Sequence, residues 1–303
     1  MKRLSETAMP LLAIVLLTAV ATGAETVGDR LWIWGHPAGV YNDSFLRPSK
    51  LASAIEPVAA AERLGLKNMI FVRYDRKPAA PFDAYYLPFG KLDRVYWSLV
   101  AAGGETSQVE RDAAFALAEK NENVAGFILD DFFHEPSVGN ADMAAPSPPA
   151  GPARGFNASL TPAELRSLGA RTVRGRHLPL MAVIYTGQIK PGARAHVAEV
   201  DQLCLWTWRP EDLKNLEANL AALETLAPGK PIFLGCYMFD FNQNKPLPVA
   251  LMQRQTQLGR QWLAKGRIQG MIFLATPIVD VGLEAVDWTR DWIRQNGGQP
   301  VQN

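Results

Sequence analysis

Asp130 and Asp131 end a run that is otherwise apolar, Val124-Ala125-Gly126-Phe127-Ile128-Leu129. Two carboxylates at the tip of such a segment serve no packing purpose, but they can give and take protons. Adjacent residues of an extended strand point to opposite sides. One of the two therefore enters whatever cleft lies at the strand end. Its neighbour turns toward the flanking layer, to bond loop amides or cap a helix. The sequence leaves open which is which. Asp240, after the apolar run Pro231–Phe239, is the natural second carboxylate for acid–base work, and its alternative use is to cap the loop before Asn242. Other apolar runs end in aromatic and hydrogen-bonding groups: Trp34-Gly35-His36, Arg73-Tyr74-Asp75, Tyr185-Thr186-Gly187-Gln188, Trp206-Thr207-Trp208-Arg209 and Tyr237-Met238-Phe239.

These ends belong to eight short apolar runs: Leu31–Trp34, Lys67–Tyr74, Val95–Val100, Val124–Leu129, Leu180–Tyr185, Gln202–Trp208, Pro231–Phe239 and Ile268–Ala275. Nearly continuous apolar runs of this length read as parallel strands buried on both faces. A helical pattern follows each. Parallel strands need right-handed crossovers, and eight such units close into a (β/α)₈ TIM barrel, an α/β fold whose chemistry sits at the C-terminal strand ends. The helices carry their own signals. Pro48-Ser49-Lys50 opens a helix that Gly65 stops. Thr161-Pro162-Ala163-Glu164 forms a capping box with proline at the first helical position. Helices are also predicted over Asp212–Leu226, Val249–Lys265 and Leu283–Gln295, and the spacing of Trp262, Trp288 and Trp292 on the last two marks core packing.

A rim of Trp and Tyr platforms interleaved with Asp, Asn, Gln and Arg suits sugars, which present an apolar ring face and many hydroxyls. The candidate catalytic residues are Asp130, Asp131 and Asp240. The candidate substrate-binding residues are Trp34, His36, Arg73, Tyr185, Trp206, Trp208, Tyr237 and Asn242. His36 either orients a substrate hydroxyl or donates to a backbone carbonyl beside Pro37. Trp206 and Trp208 share one strand face, and one of them is expected in the core.

On these residues the chain resembles the secreted (β/α)₈ glycoside hydrolases. The resemblance spans residues 22–303 as a fold and implies a carbohydrate substrate cleaved by paired acids, one protonating the departing oxygen and the other supporting or attacking the oxocarbenium-like centre. It assigns no family. The acid Glu after strand four and nucleophile Glu after strand seven of one large clan are replaced here by Asp at comparable places. The alternating acids of chitinase-like strand four are replaced by Phe127, Ile128 and Leu129. Where the α-galactosidase-like clan has an acid after strand six, Trp206-Thr207-Trp208-Arg209 stands. Two other readings stay open, a non-catalytic carbohydrate-binding barrel and a metal-assisted sugar hydrolase or isomerase.

A metal site would draw on His36, Asp75, Asp130, His134 and Glu135, but there are four histidines in all and no H-x-H after strand one. His177 precedes strand five and His196 falls in helix five. No strand ends in the lysine that Schiff-base chemistry needs, and phosphate-binding glycines after strands seven and eight are missing. No metal and no cofactor is expected. Cys204 and Cys236 lie inside strands six and seven, outside any C-x-x-C pair, and are expected as buried free thiols.

The chain opens Met1-Lys2-Arg3, then an apolar stretch from Met9 to Val20 and an Ala19-Val20-Ala21 cleavage site, with an alternative cut after Ala24. This is the pattern of a signal peptide over residues 1–21, so a secreted or periplasmic location is expected. No cysteine near the cut offers a lipoprotein anchor. Without residues 1–21 the chain holds 29 basic and 29 acidic residues, and no block of like charge marks a nucleic-acid or membrane partner. Two excursions interrupt the rhythm. Pro136–Asn157, rich in Pro, Gly, Ala and Ser, follows strand four as a lid or a disordered loop. Arg76–Asp93 carries Phe82, Tyr85, Tyr86 and Phe89, candidates to wall a cleft.

Overall fold

Eight parallel strands close on themselves in the computed structural model, which describes residues 25–134 and 157–302. The predicted signal peptide lies outside the described residues, as does the Pro136–Asn157 excursion apart from its last residue. The strands are β1 (Leu31–Gly35), β2 (Asn68–Phe71), β3 (Arg94–Val100), β4 (Val124–Leu129), β5 (Leu180–Tyr185), β6 (Gln202–Trp206), β7 (Ile232–Tyr237) and β8 (Gly270–Leu274). Each pairs with its successor, and β1 pairs with β8 from Leu31↔Met271 to Trp34↔Leu274. Helices α1 (Pro57–Leu64), α2 (Asp83–Tyr86), α3 (Gln108–Lys120), α4 (Pro162–Gly169), α5 (Arg194–Ala198), α6 (Leu216–Leu226), α7 (Val249–Ala264) and α8 (Glu284–Asn296) alternate with them. This is the (β/α)₈ barrel that the eight runs predict.

Side-chain parity fixes what the barrel presents at its mouth. Trp32 packs edge-on against Tyr96 and Phe233, and Trp34 meets Trp206 at 5.4 Å, so these residues fill the interior in layers. Glycines make room for the large rings. A Cβ on Gly126 would lie 2.6 Å from the Tyr96 ring, and one on Gly235 would lie 2.0 Å from Trp206. Gly126 therefore faces inward, and by the strand period of two so do Ile128 and Asp130.

The outward face of β2 and β3 explains the second excursion. Trp97 stacks on Phe71 at 4.7 Å and is enclosed by Phe82, Tyr86 and Phe89. The aromatics of Arg76–Asp93 thus form the helical layer behind the barrel wall and do not wall a cleft. Trp97, one residue from inward Tyr96, had to be covered from outside.

Helix ends follow local chemistry. The capping box at Thr161 forms as predicted, with Glu164 Oε2 accepting from the Thr161 amide at 2.7 Å. The first helix is shorter than expected. It starts at Pro57, because the residue before a proline is pushed to extended backbone and Glu56 adopts ψ 149. Lys50, inside the predicted helix, has φ +54 in a turn. The start of the predicted 212–226 helix is a 3₁₀ turn, Pro210–Asn215, ahead of α6. On α7 Trp262 is buried, with its indole N–H on Glu217 at 3.0 Å, and on α8 Trp288 and Trp292 pack against the core.

Candidate active site

Both aspartates at the end of β4 face the barrel mouth, for different reasons. Asp130 keeps strand parity, since its amide still donates to the Val100 carbonyl of β3 at 3.1 Å. Asp131 leaves the strand with φ +43, a left-handed conformation that is uncommon outside glycine and that recurs at functional positions. The turn swings its side chain back. Its Oδ1 accepts the Tyr185 hydroxyl at 2.9 Å, and its Oδ2 accepts the Gly103 amide at 2.8 Å. The rule that neighbouring residues diverge holds only for regular strand, and Asp131 is outside it. It bonds a loop amide, the expected use of an outward carboxylate, while also lining the mouth.

The two carboxylates share one set of neighbours. The hydroxyls of Tyr41, Tyr74, Tyr185 and Tyr237 are all held above the usual phenol range. Burial is the largest cause, and the charges of Asp130 and Asp131 add to it. Asp130 is 5% exposed. Burial first, and then the charge of Asp131, push its carboxyl well above the usual carboxylate range. Only the backbone N–H of Asp131 works against them. The shift favours the protonated form of Asp130. A buried carboxyl whose pKa is raised in this way is suited to donate a proton.

The wall around the pair is aromatic. Trp208 meets Tyr237 and Tyr185 edge-on, at 5.9 and 6.3 Å, and lies 6.4 Å from Phe241. Tyr41, from the loop after β1, packs on Phe241 and Tyr74. Tyr237 is fixed from behind by buried Gln255 of α7. The Gln255 Oε1 accepts the Tyr237 amide at 2.9 Å, and its Nε2 donates to the Tyr237 carbonyl at 3.1 Å.

The structure brings Asp130, Asp131, Tyr185, Trp208 and Tyr237 together, sets the His36 ring 5.5 Å from Tyr41 and 5.2 Å from Tyr74, and leaves the other candidates elsewhere. Trp34 and Trp206 are core residues below the mouth. Arg73 lies behind the wall, 1% exposed, paired with Glu110 of α3 and over the Phe82 ring at 5.7 Å. It follows outward Phe71 by two residues, so parity sends it to the helical layer and its neighbour Tyr74 to the mouth. Asp240 belongs to a two-residue ribbon, Phe239–Asp240 paired with Lys245–Pro246. Its Oδ1 accepts the Gln243 amide at 3.0 Å, and the Asn242 amide also bonds it. Burial raises its carboxyl, and the charges acting on it are Lys245 and Glu211. Asp240 therefore caps the loop before Asn242, and Asn242 is part of that turn. Tyr41 and the Gly103 amide are additions that strand-end reasoning does not supply, and Tyr74 ends an apolar run but is not among the candidate site residues. Tyr41 carries no sequence signal, because it sits in a loop rather than at a strand end.

His36 has both ring nitrogens engaged. Its Nδ1–H donates to the Val72 carbonyl at 2.9 Å, and its Nε2 accepts the Trp34 indole N–H at 3.0 Å. Of its two expected uses, this is the one that donates to backbone. Burial pushes its pKa down to about 4. Above pH 6.5 the ring is neutral folded or unfolded. Between 6.5 and 4 the unfolded chain takes a proton that the folded chain refuses, so stability falls with pH by about 3 kcal/mol across that window. In urea titrations the gap between wild type and His36→Gln is expected to shrink by about 2 kcal/mol from pH 7 to pH 4.5. A constant gap would show that the ring is not held neutral.

The potential metal ligands do not converge. Asp75 sits in an exposed turn near Lys77, and His134 bonds Ser159 at 2.9 Å. His196 packs against Phe132 and Phe133, and His177 bonds the Gly169 carbonyl. Glu135 lies outside the described residues. Among the described residues no three His, Cys, Asp or Glu side chains form a group that could hold a metal ion. Cys204 and Cys236 are buried free thiols, raised chiefly by burial. No described helix is long and apolar enough to cross a membrane.

No protein-family model matches the chain, and no curated protein does. Solved structures do share its fold. A candidate α-L-fucosidase from Bacteroides thetaiotaomicron superposes with a TM-score of 0.51 at 11% identity, over 96% of this chain and 99% of that one. The glycoside hydrolase domain of PgaB (BpsB) from Bordetella bronchiseptica gives 0.50 at 12% identity, over 86% of this chain and 98% of that one. At these identities the likeness is one of fold.

Proposed function

We propose that the protein is an exported glycoside hydrolase whose acid pair is Asp130 and Asp131. One observation carries the reading. At the C-terminal end of β4, a nearly buried carboxyl that burial favours in its protonated form adjoins a second carboxylate fixed by Gly103 and Tyr185, inside a mouth of Tyr and Trp rings. Glycosidic cleavage needs a proton given to the leaving oxygen and a negative charge near the anomeric centre. A sugar ring stacks on aromatic edges and faces such as those of Trp208 and Tyr237. Asp240, engaged in its turn, is given no role in this reading. The likeness to two barrels named for glycoside-bond chemistry is consistent with the reading.

The test is turnover of aryl-glycosides and polysaccharides by the full chain. Release of aryl alcohol or reducing ends supports the proposal, and sugar binding without cleavage would favour a carbohydrate-binding barrel. On any cleaved substrate, Trp208→Ala is expected to raise KM about tenfold with kcat little changed, since a lost ring contact is worth about 1 kcal/mol or somewhat more. An unaltered KM would remove Trp208 from the binding surface. Export is tested by N-terminal sequencing of protein recovered from a secreting bacterial host. A start at Thr22 or Glu25 is expected, and an intact Met1 would overturn it.

A further inference from the structure

The acid pair is arranged unlike that of an ordinary inverting or retaining glycosidase. In those enzymes two carboxyl groups flank the scissile bond, about 5–5.5 Å apart for retention and about 6.5–9.5 Å for inversion, with the sugar between them. Asp130 and Asp131 are consecutive, with Cα atoms about 3.8 Å apart. The left-handed backbone at Asp131 brings its carboxylate to the same side as that of Asp130, where both act on the same tyrosines. A docked sugar would have both acids on one side. The facing wall is Tyr41, Trp208, Tyr237 and Phe241, and the carboxylate nearest in the chain to that wall, Asp240, is spent on the Asn242–Gln243 amides. Among the described residues no carboxylate stands opposite the pair to act as nucleophile or to activate a water there.

The pair also has unfilled bonding capacity. Asp130 is more than nine-tenths buried, yet the one described hydrogen bond to its carboxyl comes from the backbone N–H of Asp131. Among the described residues each oxygen of Asp131 accepts a single hydrogen bond. A buried carboxyl left this short of partners is completed by a ligand that offers N–H or O–H groups.

Building on the glycoside hydrolase reading, we propose that the substrate is a 2-acetamido-2-deoxy-β-glycoside whose own acetamido oxygen is the nucleophile, with its N–H held by Asp131. The acetamido oxygen forms a bond to the anomeric carbon as the bond to the leaving oxygen breaks. The leaving oxygen takes its electron pair and the proton of Asp130. The amide proton passes to Asp131, which leaves a neutral oxazoline. Water then attacks the anomeric carbon and gives a proton to Asp130. The ring C–O bond opens, and Asp131 returns its proton to nitrogen. The products are a hemiacetal and an alcohol, with net retention and with substrate supplying a nucleophile that no described residue of the facing wall offers.

The full chain is assayed with 4-nitrophenyl 2-acetamido-2-deoxy-β-D-glucopyranoside, its galacto isomer, both α-anomers, and the matching 2-hydroxy β-glycosides. The acetamido oxygen reaches the anomeric carbon only from the face opposite the leaving group. Cleavage is therefore expected for a β-acetamido glycoside and not for its α-anomer. A preference of at least about 10³ over the 2-hydroxy compound is expected, since an intramolecular nucleophile is lost. A trifluoroacetamido analogue should react more than tenfold slower, because its carbonyl oxygen is the poorer nucleophile. Comparable cleavage of a 2-hydroxy glycoside would overturn the acetamido proposal and leave the glycoside hydrolase reading standing. If folded protein cleaves neither these probes nor the broader aryl-glycoside and polysaccharide set, both fall.

Discussion

Asp130→Asn is expected to lower kcat/KM on any cleaved glycoside by about 10²–10⁴, while the protein becomes no less stable at pH 7. Asparagine keeps the shape and removes the transferable proton. The effect on stability has a definite sign. Burial and Asp131 raise the folded-state pKa of Asp130, so the folded chain retains a proton that the unfolded chain gives up once pH passes 3.8. The native state loses stability as pH climbs from there toward the folded pKa. Asn at this position has no such cost. Wild type and variant should therefore differ least below pH 3.8, and the variant should gain on wild type by pH 7. A variant that is both inactive and unstable at neutral pH would mark Asp130 as structural.

Asp131→Asn separates the partners. Turnover should fall over a similar range, but here stability should also drop, by about 1–3 kcal/mol, because charge-assisted bonds from Gly103 and Tyr185 are weakened. Removing the Asp131 charge takes away the second-largest influence raising Asp130. Any residual activity that needs protonated Asp130 should be lost at lower pH than in wild type, which a pH–rate profile reads directly. A basic limb that stays in place would mean that the charge of Asp131 does not act on Asp130.

The barrel is legible in the sequence because its signal is repeated eight times. Each buried parallel strand leaves a short apolar run, and misplacing one end by a few residues does not alter the count. The site is legible only where parity can be read. Asp130, Tyr185, Trp208 and Tyr237 sit on or just past regular strand, and strand-end position identifies them. Apolar residues on both faces of β2 hide its inward register, so Arg73 reads toward the mouth in place of Tyr74. Asp240 reads as a strand-end acid because only Met238 separates Ile232–Tyr237 from Phe239–Asp240. Only the pairing with Lys245–Pro246 shows a separate ribbon. The positive φ of Asp131 has no sequence marker at all, and that single dihedral decides that both acids share one side.

Arg73 supplies the second large effect, and it falls on stability rather than catalysis. Its guanidinium is enclosed between the barrel wall and α3, with the Phe82 ring nearby. Glu110 takes one of its nitrogens, while the buried Nε and Nη2 have no hydrogen-bond partner among the described residues. Glu110 itself is partly exposed and receives Ser107 as well, yet the Arg73 hydrogen bond and charge help hold its carboxyl below the usual range against burial. Glu110→Ala would leave a buried cation with no counter-charge. Breaking such pairs on one side costs about 3–5 kcal/mol, and for a chain of this size that is a Tm lowered by roughly 10 °C. Replacing both partners, as Arg73→Met with Glu110→Leu, removes the charge together with its need for a partner. The double variant should recover most of the loss, because an apolar pair of similar volume satisfies the site. If the double variant were as unstable as Glu110→Ala, the cost would lie in packing against Phe82 rather than in the stranded charge. Neither change should move KM for a glycoside that the wild type cleaves, since Arg73 stands behind the wall and not in the mouth. A tenfold rise in KM with unchanged stability would restore Arg73 to the binding surface.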